Sequence, residues 1–278
     1  MILDAHHHLW TPRRGDYGWL TPDLTALYRD FLPDDLEPIL AAYGVAGTVI
    51  VQAAPSEDET RFLLDMAQGW PMARAVVGWI DMTAADAGAR LEGLARERLL
   101  RGIRPMIQDE ADAEWMLQAS VGAAFAAIGR CGLTFDALVR PDQLSTLARL
   151  ADRHPDVPVV IDHAAKPAIA RGGFQPWADD LRALSRRPQV MCKLSGLLTE
   201  AGPRRADADL APYVEHLLAC FGPERLMWGS DWPVLTLAGD YGGWLEQARR
   251  LVQGLSADDQ AAIFGLTAAR FYGIKDSP

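Results

Sequence analysis

Short, nearly continuous apolar runs alternate with amphipathic stretches about eight times along the chain. The apolar runs lie at 2–6, 47–52, 75–80, 100–104, 134–139, 158–163, 190–194 and 226–230, and most are rich in Val, Ile and Leu. A strand buried on both faces has no reason to alternate polar and apolar residues, so these runs predict parallel strands. Between them, apolar residues recur at helical spacing over 34–43, 57–68, 84–98, 113–129, 141–153, 177–186, 208–220 and 244–254. A closing helix is expected over 257–264, followed by a segment over 267–272. Eight β–α units in 278 residues predict a single-domain (β/α)8 barrel spanning 1–278. A doubly wound sheet is the alternative. It would carry a glycine-rich phosphate turn after its first strand, where this chain has His6, His7 and His8.

No Pro-, Gly- or Ser-rich linker divides the sequence, and 49% hydrophobic with 23% charged residues is ordinary for a soluble enzyme. A formal charge of −10 argues against a nucleic-acid partner, because phosphate binding needs a basic face. It also disfavours a polyanionic substrate unless a local arginine overrides it. Cys131, Cys192 and Cys220 show no paired spacing, which fits a reducing compartment. Neither a secretory leader nor a membrane-length apolar run is read, so no membrane partner and a cytoplasmic location are expected.

The chemistry-bearing residues fall at expected strand ends, where barrel active sites are built. Residues two apart on a strand share a face, so His6 and His8 present two imidazoles to one side and His7 turns away. His163 ends the sixth run and Asp231 follows the eighth. Together they form a nitrogen-and-oxygen donor set for a borderline divalent metal, zinc being the first choice, with Asp231 also placed to take a proton from water. The competing reading is a set of hydrogen-bonded strand ends and, for Asp231, a turn or helix cap. Asp4 is either an orienting partner of an imidazole or structural.

Arg104 is positioned to grip a carbonyl or carboxylate. Gln52, Lys193 and Ser195 are candidate substrate contacts or plain strand-end polar groups. Trp10, Tyr17, Trp19 and Trp232 could form an aromatic wall for a small oxygenated ring, while Trp79 reads as core packing. Lys166 reads as a surface lysine, and Asp136 with Arg140 as a simple ion pair.

The ordered segments DAHHHLW, DYGWL, TVIVQAAPSEDETRFLL, VVGWIDM, LRGIRP, VIDHAAKP, CKLSGL and MWGSDWPV resemble the amidohydrolase superfamily, in particular its amidohydrolase-2 group of sugar-lactone hydrolases. The resemblance runs over nearly the whole chain. It implies a distorted (β/α)8 barrel that hydrolyses a cyclic ester, with the metal-binding pattern falling on His6, His8, His163 and Asp231. Binuclear members carry a bridging lysine or glutamate on strand 4 and a histidine on strand 5, where this chain has Arg104 and Asp136. One metal at most is therefore expected, and a metal-free variant of the group is the alternative. The expected substrate is an aldonolactone. The alternatives are a 2-pyrone dicarboxylate, a decarboxylation of the same superfamily, or sugar-acid binding without catalysis. Oligomeric state is left open.

Overall fold

A computed structural model describes residues 1–275; residues 276–278 of the expected 1–278 unit lie outside the described residues. Eight strands form one sheet in sequence order, and every neighbouring pair is parallel. They are β1 (Ile2–His7), β2 (Val45–Val51), β3 (Ala73–Gly78), β4 (Leu100–Ile103), β5 (Thr134–Ala137), β6 (Val159–Ile161), β7 (Val190–Leu194) and β8 (Leu226–Trp228). The expected (β/α)8 barrel is the fold, and the doubly wound alternative is excluded by the uninterrupted strand order.

Helices lie between the strands as the spacing predicts, with corrected ends. The stretch 84–98 shortens to Ala87–Leu94. The stretch 113–129 divides into a 3-10 turn, Trp115–Leu117, and a helix, Ala119–Arg130, because Gln118 between them is extended. The short helix Leu197–Ala201, which periodicity missed, follows the left-handed Gly196. Strand β6 ends earlier than expected. His163, Ala164, Ala165 and Lys166 all have φ between 51° and 58°, a left-handed turn no ladder can continue.

Two apolar compartments result. Outward-facing strand residues such as Ile50, Val76, Phe135 and Leu194 pack beneath the helices. Leu3, Ala5, Val49, Val51, Ala75, Val77, Val160 and Met227 form a separate inner cluster with Ala268, Phe271 and Tyr272 of the closing segment. That segment runs through a helix, a π turn (Ala262–Leu266) and Thr267–Phe271. It covers the N-terminal end of the barrel, with Thr267 Oγ1 donating to Pro223 O at 3.1 Å.

The barrel closes between β8 and β1 at the opposite end. Asp231 N donates to His6 O at 2.8 Å, and His8 N to Trp232 O at 2.7 Å. Asp4 staples this seam: Oδ1 accepts from His6 N at 3.1 Å and Ser230 N at 2.9 Å, and Oδ2 from Tyr241 Oη at 3.0 Å. Asp4 is thus structural and orients no imidazole. Its direction depends on a bulge, since Asp4 to His7 on β1 spans the same ladder as Thr48 to Ile50 on β2. The extra residue lets Asp4 face the helical layer while His6 faces the interior.

Glu59 fixes the loop after β2. It sits in the first turn of the helix Glu57–Gln68, capped by Ser56, and accepts from Ala53 N and Ala54 N at 2.8–3.0 Å. Burial pushes its pKa up to about 7, against the two amides, which favour the carboxylate. A folded-state value above the unfolded one means that protonation stabilises the fold. Its contribution is present below about pH 4.5 and is lost as pH rises to about 7, a change of about 3 kcal/mol. The stability advantage of the wild-type chain over Glu59→Gln should therefore shrink across this window in chemical-unfolding measurements. A pH-independent difference would refute it.

Candidate active site

His6, His8, His163 and Asp231 meet at the β8–β1 seam, at the C-terminal mouth of the barrel. One carboxylate oxygen is the focus: Asp231 Oδ1 lies 3.8 Å from His6 Nε2, 3.4 Å from His8 Nε2 and 3.8 Å from His163 Nε2. His6 Nε2 and His8 Nε2 are 3.2 Å apart. The coordinating atoms of His6, His163 and Asp231 lie within 4.8 Å of one another, a grouping that can hold a metal ion. His7 points away, as alternation requires, with its ring against Trp70 at 5.9 Å.

Each Nδ1 is engaged from behind. His8 Nδ1 lies 2.8 Å from Val51 O; a carbonyl only accepts, so the ring proton is on Nδ1 and Nε2 keeps its lone pair. Trp10 stacks beside that ring at 6.3 Å and 29°. His163 Nδ1 meets Ser195 Oγ at 2.9 Å. His6 Nδ1 lies 3.1 Å from Lys193 Nζ and 3.4 Å from Asp162 Oδ1.

Burial and the Lys193 charge hold His6 well below its ordinary pKa, and burial lowers His163 to about 4. Both rings are neutral near pH 7. Burial pushes the Asp231 carboxyl upward, and positive charge at the facing His163, His8 and His6 rings pulls it below the usual carboxylate range. Neutral imidazoles beside an ionised carboxylate are the protonation state that metal ligation requires.

The backbone is strained where these groups project. Asp231 has φ 59° and His163 φ 51°. Two glycines make room. A Cβ on Gly196, itself at φ +65°, would come within 2.7 Å of the His163 ring, and one on Gly229 within 2.7 Å of His6 Cβ.

A cavity of about 340 Å³ opens over the group, lined by His8, Arg104, His163 and Asp231 among others. Its wall carries Trp19, which is 37% exposed and donates Nε1 to Ala53 O at 2.7 Å. A larger groove of about 870 Å³ lies at the other end of the barrel, among Trp70, Arg98, Arg101 and Lys275, far from this chemistry.

Several expected substrate contacts lie outside the cavity lining. Lys193 is fully buried, with Nζ 2.6 Å from Asp136 Oδ2 and 3.0 Å from Asp162 Oδ1, beneath the cavity. Gln52 donates to Arg104 O at 2.7 Å, and Arg104 Nη2 donates back to Gln52 O, so the pair lock each other. Ser195 orients His163. Trp10 is buried, with Nε1 on Leu27 O and Arg29 O; Tyr17 is buried near it; and Trp232 packs edge-on against Phe31. Of the four aromatics, only Trp19 lines the cavity.

Asp136 pairs with Lys193 rather than Arg140, which instead lies 3.6 Å from Asp142. Lys166, read as a surface lysine, lines the cavity with Glu200, Thr199, Asp109 and Arg205. The sequence reading missed these. Lys166 ends the left-handed turn after β6, Thr199 and Glu200 lie on the short helix after β7 and Arg205 just beyond it, and Asp109 lies in a 3-10 turn after β4. Asp162 was also missed, although a carboxylate ending an apolar strand was a visible signal.

A parallel (β/α)8 barrel with convergent histidines and an aspartate at its mouth defines a barrel hydrolase. The chain belongs to the amidohydrolase family, whose model matches residues 3–274. It is 46% identical over 276 residues to an L-fucono-1,5-lactonase of Burkholderia ambifaria, covering 98% of this chain and 95% of that protein. It is 38% identical to the L-fucono-1,5-lactonase of Burkholderia multivorans, covering 99% and 96%. A crystal structure of a Burkholderia multivorans amidohydrolase with bound zinc superposes with a TM-score of 0.93 at 38% identity, covering 99% of this chain and all of that one.

Gly196→Ala should force His163 aside, adding about 1–2 kcal/mol of left-handed strain to about 1–3 kcal/mol of overpacking. Thermal unfolding should fall accordingly. A stability equal to wild type would mean that the glycine is dispensable.

Proposed function

We propose that this protein is a lactonase that opens an aldono-1,5-lactone to its hydroxy acid, with L-fucono-1,5-lactone the first candidate. The observation that carries the reading is the convergence of three imidazole Nε2 atoms on Asp231 Oδ1 at the base of a cavity also lined by Arg104. End-to-end similarity to lactonases of that name supports the substrate class.

The donor set fits one zinc ion. Ligands about 2.0–2.1 Å from a tetrahedral zinc lie about 3.4 Å from one another, close to the separations of 3.2–3.8 Å found here. His6, His8, His163 and Asp231 would hold it. Occupation of His6 Nε2 requires the ring proton on Nδ1, where Asp162 Oδ1 stands ready to accept it. Zinc, when bound, would supply Lewis-acid polarisation of the ester carbonyl, which requires a coordination position beyond the four protein donors. Asp136 and Asp162, the carboxylates beneath the donor set, are paired with Lys193 and Arg104, which disfavours them as ligands of a second ion.

Asp231 takes the proton from a water aimed at the ester carbon. The oxyanion that forms lies toward the Arg104 guanidinium, which is fixed by Gln52 and stabilises the added charge without reorganising. Asp231 returns the proton to the ring oxygen as the C–O bond breaks, leaving a hydroxyl and a carboxylic acid, which ionises by losing its proton to solvent.

The cavity wall favours a neutral substrate. It carries Arg104, Lys166 and Arg205 against Asp109, Glu200 and Asp231, so its formal charges balance. Before a bound zinc ion adds its own charge, the wall offers a dianionic pyrone no net positive field. Paired charges suit hydroxyl groups, and Trp19 offers a flat face to a sugar ring.

Asp231→Asn should lower turnover by about 10²–10⁴-fold with the fold intact, the usual contribution of a general base. Wild-type turnover in this variant would refute its assignment. Competition among aldonolactones, a pyrone dicarboxylate and simple amides should show the highest kcat/KM for a neutral aldonolactone. A preference for the pyrone would overturn the charge-balance argument. Elemental analysis should find no more than one tightly held zinc per chain.

A further inference from the structure

Tyr272 closes the N-terminal end of the barrel, yet its hydroxyl is sent inward. Oη donates to Asp136 Oδ2 at 2.6 Å, and the side chain is almost wholly buried. A phenylalanine would fill the same floor without the cost of desolvating a hydroxyl, so the hydroxyl needs a partner to justify its place. The same Asp136 oxygen accepts from Lys193 Nζ at 2.6 Å, and the Lys193 ammonium lies over the Tyr272 ring at 5.6 Å. Lys193 in turn touches Asp162 Oδ1 and His6 Nδ1. An unbroken run of short polar contacts therefore leads from the C-terminal segment, up the barrel axis, to the back of His6.

We propose that Lys193, held by Asp136 and Tyr272, is a positioning residue for His6, so that the segment closing one end of the barrel sets the geometry of the site at the other. The physical reason is donor and acceptor arithmetic. An ammonium only donates. While His6 Nε2 carries the ring proton, Lys193 donates to Nδ1. When Nε2 takes a cation, the proton moves to Nδ1 and that bond must lapse. Lys193 then relies on Asp136 and Asp162, and by holding Asp162 Oδ1 at 3.0 Å it keeps that oxygen, 3.4 Å from Nδ1, in place as the acceptor for Nδ1–H; this retained contact, and not the one that lapses, favours the cation-bound ring. Tyr272 fixes the Asp136 carboxylate at the point where Lys193 needs it. This rests on the zinc reading above.

The test is Tyr272→Phe, which keeps the ring and removes the hydroxyl. Zinc affinity, read by competition with a chromophoric chelator and without substrate, should fall about 10-fold, the lower end of what a supporting partner of a ligand contributes. On the preferred lactone, kcat should fall with KM unchanged. Phe271→Leu trims packing in the same segment; its ring meets that of Tyr272 edge-on at 4.9 Å, but the change leaves every polar atom of the run in place. It should lower thermal stability with zinc affinity and kcat unchanged. Lys193→Met should exceed Tyr272→Phe in both readouts, and if it does not fold, Tyr272→Phe alone decides. Wild-type zinc affinity and kcat in Tyr272→Phe overturns the proposal, as does an equal loss of both in Phe271→Leu. Failure of the wild-type protein to open any lactone would count against the proposed reaction instead, and zinc affinity alone would then decide this one.

Discussion

The seam between the last strand and the first is the constraint on which the rest depends. Among the described residues, β8 is joined to β1 by hydrogen bonds just beyond its end, through His6, His8, Asp231 and Trp232 backbone groups and the Asp4 carboxylate. Two histidines and the aspartate are carried by those same few residues. Closing the barrel and assembling the site are therefore one structural event. Asp4 illustrates what this demands. Its burial pushes its pKa up to about 6 despite hydrogen bonds from Ser230, His6 and Tyr241, so a desolvated carboxylate is retained where an apolar residue would pack more cheaply. An apolar residue could not accept two backbone amides from different strands.

Below the seam the barrel interior is polar to an unusual depth. Asp136, Asp162, Lys193 and Arg104 are all buried, two of each sign. Such groups rarely add net stability over a well-packed apolar core, and removing one member typically costs about 3–5 kcal/mol. Their value here is directional. They set a donor, Lys193, and an acceptor, Asp162, beside His6 Nδ1, and they fix where Arg104 points. The apolar inner cluster lies toward the other end of the barrel, so stability and chemistry divide along the axis, as in other barrels of this type.

The fold was legible because its signal is repeated: eight apolar runs and eight amphipathic stretches leave little choice of architecture. The four groups at the seam were legible because strand periodicity placed His6 and His8 on one side and because His163 and Asp231 ended apolar runs. The supporting roles were not. Lys193, Gln52 and Ser195 have the composition of substrate contacts, and only depth separates them from that role. Depth depends on the bulge in β1, the left-handed turn from His163 to Lys166 and the mutual lock of Gln52 and Arg104. Lys166 and Arg205 were lost for the converse reason. Nothing local distinguishes a solvated cation from one that a neighbouring loop carries over a cavity.

The separation of the seam partners along the chain has a biosynthetic consequence. Ser230 N and the Asp4 carboxylate lie 226 residues apart, so no truncated product or nascent chain lacking β8 can hold the complete donor set. During synthesis, His6 and His8 emerge before the long stretch of chain that separates them from Asp231. A divalent ion bound only by the closed barrel would stabilise that state by mass action. Occupancy would then mark chains whose synthesis had run to the last strand and whose ring had closed.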